Sequence, residues 1–233
     1  MRDSKEKKVI IILGPPGSGK GTQAELLAEK FDLFPFETSE IIEKNLENIK
    51  KNDLVVINGE KYFLWRERQL RNSGKWMSPP LITFWVKNGI KALAKEDQGI
   101  ILSGSPKTLY ETKEIAPLLK KLYGTPNVKV ILIKQRPEVS IWRNSKRKIC
   151  QLMRHSILYT KEAARLKFCP FDGSKLMLRE DSSPKVIKSK LKEYQERTLP
   201  VIAYFKKQGF KIKEVNGENP VVKVFNDILK AIK

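Results

Sequence analysis

The sequence predicts an α/β fold, with three layers (α/β/α) around a parallel sheet and two inserted segments. Three observations predict it. Apolar runs recur at residues 9–13, 99–102 and 128–133, with a weaker one at 210–215. Helical stretches separate them, which is the alternation of a parallel sheet. The first run leads at once into a glycine-rich loop, Gly14-Pro15-Pro16-Gly17-Ser18-Gly19-Lys20-Gly21-Thr22, and then into a helix. The length of 233 residues suits one such domain with inserted pieces.

Residues 9–13 are apolar and mostly β-branched, as in a strand covered on both faces. In the loop that follows, glycines let backbone N–H groups turn inward around an anion. Lys20 adds a point charge for β- and γ-phosphates, and the helix N-terminus adds a partial positive charge. Thr22 offers a hydroxyl near the position of a metal. The strand–loop–helix context makes this a P-loop NTPase type of nucleotide site, with Lys20 expected to face solvent when the loop is empty. Ala24, Leu27, Ala28 and Phe31 then recur on one helical face.

Residues 38–87 are polar and mixed. They read as mostly helical, with an irregular piece near 54–62 and a turn at Asn58-Gly59. Ser103-Gly104-Ser105-Pro106-Lys107-Thr108 sits at the carboxyl end of the 99–102 strand, where open parallel sheets bind ligands. Arg143 and Arg147 are four apart, hence on one face of a helix. Residues from about 147 to 180 hold both cysteines, the one histidine and Asp172-Gly173, and are too long for a simple connection. Ser183-Pro184 reads as a cap followed by a first-turn proline. Val186/Ile187, Leu191, Tyr194, Thr198, Val201/Ile202 and Phe205 then share a helical face, with a kink expected at Pro200.

The formal charge is +20, which attracts polyanions and leaves nucleic acid open as a partner, against a plain solvated basic surface. No apolar run approaches the roughly 20 residues of a membrane span. Two cysteines do not make a disulfide scaffold, and the first apolar run is too short for a secretory signal, so a cytoplasmic location is expected.

Over nearly its full length the chain resembles the adenylate kinase family of nucleoside monophosphate kinases. Residues 14–22 are very similar to that family's ATP loop, including the Gly-Thr after the lysine. Residues 101–108, Ile-Leu-Ser-Gly-Ser-Pro-Lys-Thr, look like its strand ending in Asp-Gly-Phe-Pro-Arg-Thr. Arg143-x3-Arg147 looks like the arginine pair at the start of the lid, and Arg179-Glu180-Asp181-Ser182 resembles the Arg-x-Asp-Asp at its end. Lys190-Leu191-x2-Tyr194 and Thr198-x-Pro200 look like motifs of the following helix. Val215-Asn216-Gly217 resembles the turn against the ATP base, and Asn219 is assigned to the same site. Thr38-Ser39 begins the monophosphate segment, and Gly74-Lys75-Trp76 looks like its closing turn.

The resemblance implies a core (1–37, 88–146, 181–233), a monophosphate-binding insert (38–87) and a lid (147–180). ATP would lie on Gly14, Pro16, Gly17, Ser18, Gly19, Lys20, Gly21 and Thr22 with Arg143, Arg147 and Asn219. Mg²⁺ would bridge the phosphates. The monophosphate, AMP first, would meet Ser39, Lys44, Trp76, Gly104, Lys107, Glu111, Arg179 and Lys190. The groups acting on the moving phosphoryl would be Lys20, Lys107, Arg143, Arg147, Arg179 and Lys190. A monomer is expected.

Departures from the family pattern are specific. Ser103 stands at the family aspartate. Lys44, Lys107 and Lys190 replace arginines, which keeps charge and loses the bidentate fork. Glu111 stands where a glutamine usually reads the adenine. About ten extra residues fall near 50–62. Two alternatives therefore stay beside the AMP reaction. One is a nucleotide- or RNA-binding protein on the same fold without turnover, and the other is a kinase for a different acceptor. In the lid, Cys150-x4-His155 and Cys169-x2-Asp172 make two short pairs of zinc-ligand types. Met153 occupies the usual partner spacing from Cys150, so His155 would serve instead. A structural Zn²⁺ is expected, with a lid held by packing and hydrogen bonds as the alternative.

Overall fold

The computed structural model describes residues 8–73, 77–153, 155–178 and 183–233. The chain opens with β1 (Val9–Leu13), buried at every position. A glycine-rich loop turns it into α1 (Lys20–Phe31), which buries Gln23, Ala24, Leu27 and Ala28. Asp32 ends the helix in the left-handed region, its N–H on the Ala28 carbonyl. The chain then forms β2 (Phe34–Phe36), a strand absent from the sequence reading. Pro35 cannot donate to a ladder on both sides, and β2 accordingly lies at a sheet edge.

The first insert starts with α2 (Thr38–Leu46). Where an irregular piece was expected, the structure has an antiparallel hairpin, β3 (Leu54–Ile57) and β4 (Glu60–Phe63). Asn58 and Gly59 both have positive φ, 51° and 85°, as a two-residue hairpin turn requires. Val55, Ile57 and Tyr62 pack on the core, while Leu54, Val56 and Phe63 stay exposed. Then come α3 (Leu64–Asn72) and α4 (Pro79–Lys95). Buried Glu67 on α3 accepts from the Ser78 N–H (2.9 Å) and Oγ (2.6 Å), tying α3 to the start of α4.

The core resumes with β5 (Ile100–Leu102), α5 (Leu109–Tyr123), β6 (Val128–Lys134) and α6 (Pro137–Lys146). The second insert is a small antiparallel sheet of β7 (Lys148–Cys150), β8 (Ser156–Ile157) and, after the short α7 (Lys161–Arg165), β9 (Leu176–Leu178). Its order is β8-β7-β9. Ser183 caps α8 (Pro184–Glu193) by accepting from the Val186 N–H. The helical path continues through a widened π turn (Tyr194–Thr198) into α9 (Leu199–Lys207). The irregularity expected at Pro200 thus lies in the turn before it. Proline has no N–H to bond the carbonyl four residues back, and Leu199 N–H bonds Tyr194, five back. The chain closes with β10 (Ile212–Asn216) and α10 (Val221–Ile232).

The main sheet has order β10-β6-β1-β5-β2, all parallel. Alternation along β1 splits the core in two. Val9, Ile11 and Leu13 face α4, α5 and α9, while Ile10 and Ile12 face α1 and α10. Each buried aliphatic chain contributes roughly 1.5–3 kcal/mol. This two-sided burial holds the carboxyl ends of β1, β5, β6 and β10 at one rim, where the loops of interest leave the sheet. Among the described residues, no helix is long and apolar enough to cross a membrane.

Candidate active site

The loop between β1 and α1 depends on glycine at two points. At Gly14 a Cβ would stand 2.6 Å from the Ile133 carbonyl oxygen, and at Gly17 it would stand 2.3 Å from Asn144 Nδ2. The loop is braced from α6, where Ser140 Oγ donates to the Pro16 carbonyl and Asn144 Nδ2 donates to the Ser140 carbonyl (2.7 Å). Lys20 does not face solvent. Its Nζ donates to the carbonyls of Gly14 and Pro15, both at 2.8 Å. Burial lowers its pKa to about 7, with the nearby charges of Lys107 and Arg147 adding to the effect.

A cleft of about 1230 Å³ opens above the carboxyl ends of the strands. It is lined by residues 14 and 16–22, by Ser103, Gly104 and Lys107, by Arg143 and Arg147, by Lys190 and by Asn219. Most of the residues singled out from the sequence therefore meet in one cavity. Trp76 and Arg179 lie outside the described residues, as does the side chain of Ser39.

Two of those residues are placed elsewhere. Lys44 is exposed and lines a smaller pocket of about 460 Å³ between α2 and α3, not the cleft. Glu111 is buried, and its carboxylate turns into the loop before α5. It accepts from Ser105 Oγ (2.9 Å), the Lys107 N–H (3.0 Å) and Thr108 Oγ1 (3.2 Å). Thr108 in turn caps α5 by accepting from the Glu111 N–H, so the pair forms a variant capping box. Glu111 shapes the turn that carries Lys107 and does not face a ligand base.

The two arginines near the junction of α6 and β7 differ in their anchors. Arg143, on α6, donates from Nη1 to Gln135 Oε1 (2.8 Å) and the Gly217 carbonyl (2.7 Å), and from Nη2 to the Glu218 carbonyl (3.3 Å). It pins the β10–α10 turn to the edge of the cleft. Arg147 follows α6 and donates from Nε to Ser156 Oγ on the lid sheet. Lys107 has its pKa lowered by burial, partly offset by Glu111.

The structure adds cleft residues to which the sequence reading gave no role of their own. Glu37 and Thr38 stand where β2 meets α2, and Arg71 comes from α3. Thr38 Oγ1 is buried without a hydrogen-bond partner among the described residues. Trp142 on α6 meets Tyr159 of the lid edge to face, with centroids 5.2 Å apart. Both border the cleft. Thr38 is named in the sequence with Ser39 as the start of the monophosphate segment, without a contact of its own. The others carry no local signal, because tertiary packing alone brings them to the rim.

Around the small β8-β7-β9 sheet, four donors converge. Cys150 ends β7 and His155 precedes β8, while Cys169 and Asp172 lie on the turn before β9. Cys150 Sγ is 3.0 Å from Asp172 Oδ2. His155 Nδ1 is 3.6 Å from Cys150 Sγ, 3.5 Å from Cys169 Sγ and 3.2 Å from Asp172 Oδ2. All four ligand atoms lie within 4.8 Å of one another, a group able to hold a metal ion. Met153 keeps its side chain exposed, and His155 takes its place. The Cys150 thiol, with Ser174, holds the Asp172 carboxyl well below the usual carboxylate range.

Comparison with known proteins agrees with this geometry. The family model described as adenylate kinase matches residues 12–210. The adenylate kinase of Mycoplasma capricolum subsp. capricolum is 31% identical over 226 residues, covering 96% of this chain and 99% of that protein. That of Clostridium botulinum strain Langeland is 30% identical over 220 residues, 94% and 95% of the two chains. That of Chlamydia pneumoniae is 30% identical over 224 residues, 96% and 97%.

Proposed function

The chain belongs to the adenylate kinase family, and from that premise we propose how its residues divide the work of the transfer it catalyses, ATP + AMP to two ADP. The observation that carries the proposal is the convergence of the loop, Lys107, Arg143, Arg147 and Lys190 on one cleft. Phosphoryl transfer requires positioned cations, because charge spreads over the oxygens of the moving group.

The loop N–H groups and Lys20 hold the β- and γ-phosphates of ATP. Lys20 exchanges the Gly14 and Pro15 carbonyls for phosphate oxygens. Thr22, two residues on at the start of α1, is the hydroxyl suited to the magnesium that accompanies ATP. When bound there, that ion would supply positive charge to offset the phosphate oxygens. Arg143 fixes the Gly217–Glu218 turn and, with Asn219, walls the donor end. Arg147 brings positive charge from the lid hinge, and Lys107 and Lys190 bring it from the acceptor side. Arg179 completes this set by the family resemblance. Thr38 Oγ1 is a free hydroxyl for the acceptor. Ser103 offers a hydroxyl where the family has a carboxylate, so orientation of water about the ion falls to other groups. There is no covalent intermediate.

The lid cluster is assigned to a structural zinc. Zinc bonds of about 2.3 Å to sulfur and 2.05 Å to nitrogen, at the tetrahedral angle, place the two donors about 3.6 Å apart. The S–N separations of 3.6 and 3.5 Å match that spacing. Cys150, Cys169, His155 and Asp172 would supply the four ligands of a closed structural site, which would leave no position open for chemistry. Free cysteines in such a cluster accord with a reducing, cytoplasmic location, and the enzyme is taken to act as a monomer.

A panel assay tests the acceptor. Purified protein with ATP and Mg²⁺ is given AMP, CMP, UMP, GMP or their deoxy forms, and diphosphates are resolved by chromatography. ADP from AMP at the highest kcat/KM is expected. A faster reaction with another monophosphate would overturn AMP as the acceptor while leaving the cleft assignments in place.

A further inference from the structure

The acceptor wall of the cleft is rich in polar groups, yet among the described residues of α2, α3 and α4 it receives a single guanidinium. Arg71, in the last turn of α3, lines both the main cleft and the smaller α2–α3 pocket. Its Nη2 lies 2.5 Å from Glu43 Oε1 on α2. The Arg71 side chain is 31% exposed and that of Glu43 is 68% exposed, so the ion pair sits at the mouth, in reach of water. Lys44, the neighbour of Glu43, opens only on the smaller pocket. Deeper in the cleft, Thr38 Oγ1 is buried without a partner among the described residues, a hydroxyl waiting for a ligand oxygen.

We propose that Arg71 binds the phosphate of the incoming nucleoside monophosphate, leaving Glu43 to do so, and that Glu43 parks the guanidinium when the acceptor is absent. The chemistry follows from the groups present. A monophosphate dianion is best held by a planar fork of two N–H donors. The cleft's other acceptor-side cations, Lys107 and Lys190, are point charges on ammonium groups. An exposed carboxylate partner is bound weakly enough to be displaced at little loss of affinity, a factor of a few. A dianion with two free oxygens outcompetes one carboxylate for the same fork. The exchange also moves the charge of Arg71 from the outer pocket towards the transfer site, so occupancy by the acceptor assembles part of the cationic surface.

This inference rests on reading the cleft as an ATP–AMP transferase, and the experiment separates the two. Steady-state kinetics would be measured for wild type, Arg71→Gln, Arg71→Lys and Glu43→Gln, varying AMP at saturating ATP and then the reverse. Arg71→Gln is expected to raise the KM for AMP about tenfold, the loss of a charge-assisted contact, with the KM for ATP unaltered. Arg71→Lys should recover part of that loss. Glu43→Gln should lower the KM for AMP about two- to fivefold, because a competitor for the guanidinium is gone. A structural brace between α2 and α3 predicts the opposite sign for Glu43→Gln. An unchanged KM for AMP in Arg71→Gln, or a raised one in Glu43→Gln, overturns the inference while wild-type turnover keeps the activity. A wild type with no AMP-dependent turnover removes the activity, and this inference with it.

Discussion

ATP binding should draw a proton onto Lys20. In the free loop burial, together with the nearby charges of Lys107 and Arg147, lowers the Lys20 pKa to about 7. Its Nζ has two carbonyls as partners, which carry only partial charge. A triphosphate replaces them with full negative charge and pushes the pKa back up. The complex therefore binds more protons than the free enzyme, and affinity must fall as pH rises above the free-state value. The magnitude follows from a free-state pKa of about 7: at pH 8 only about a tenth of the free enzyme carries the proton, so binding takes up about 0.9 proton, while at pH 6 it takes up about 0.1. Above pH 7 the affinity for ATP should drop up to about tenfold per pH unit until the pKa of the complex is reached. Titration calorimetry in two buffers of different ionisation enthalpy reads the uptake directly. Lys20→Met removes the group, and the nucleotide's own protonation is then the common background. The reasoning is refuted if wild type and Lys20→Met take up the same number of protons at pH 8, because Lys20 would then be fully charged in the empty loop.

Three further outcomes follow from the geometry. The lid's apolar cluster consists of Cys150, Ile157, Cys169 and Leu176, and two of these four are proposed zinc ligands. Purified protein should therefore carry about one zinc per chain, and chelation or Cys169→Ala should open residues 150–178 to proteolysis and slow transfer. A lid equally resistant after metal removal would contradict the zinc assignment. Glu111→Ala strips three donors, two of them buried, of their acceptor, costing ~1–3 kcal/mol for groups left unsatisfied and lowering the melting temperature by several degrees. Its preference among nucleobases should not change, and a switch of base preference would restore Glu111 as a base reader. Gly17→Ala meets Asn144 Nδ2 at 2.3 Å and also needs a positive φ, whereas Gly19→Ala needs only the positive φ and meets nothing within 4 Å. ATP affinity measured by calorimetry should thus fall further in Gly17→Ala than in Gly19→Ala, and the reverse order would refute the role of the Asn144 contact.

Much of the sheet was legible in the chain because β1, β5 and β6 are near-continuous apolar runs buried on both faces. β2 was not, since Phe34-Pro35-Phe36 is three residues long, exposed at its first two positions and interrupted by proline. The β3–β4 hairpin hid behind its own composition. Leu54 and Val56 are apolar yet exposed, which erases the alternation that marks a half-buried strand. Asn58-Gly59 was the usable signal there, for it is a strong short-range mark of a hairpin. The phosphate loop on the donor side is one contiguous stretch, residues 14–22, so it read directly. The acceptor side is assembled from separate elements. Arg71, Glu37 and Thr38 are isolated polar residues until α2, α3 and β2 are folded around the rim. Glu111 was assigned by analogy to a ligand, although Thr108-x2-Glu111 already spelled a capping box. Lys44 was assigned by analogy as well, and α2 turns it towards the outer pocket.

The most direct test of the central claim is the rate of ADP formation from ATP and AMP by wild type and by Lys20→Met, both shown folded by circular dichroism. Wild-type turnover that needs AMP, and is reduced at least about a thousandfold in the variant by loss of the phosphate-holding charge, is the predicted result. Equal rates in the two proteins, or no AMP-dependent ADP from wild type, would contradict the placement of phosphoryl transfer in this cleft.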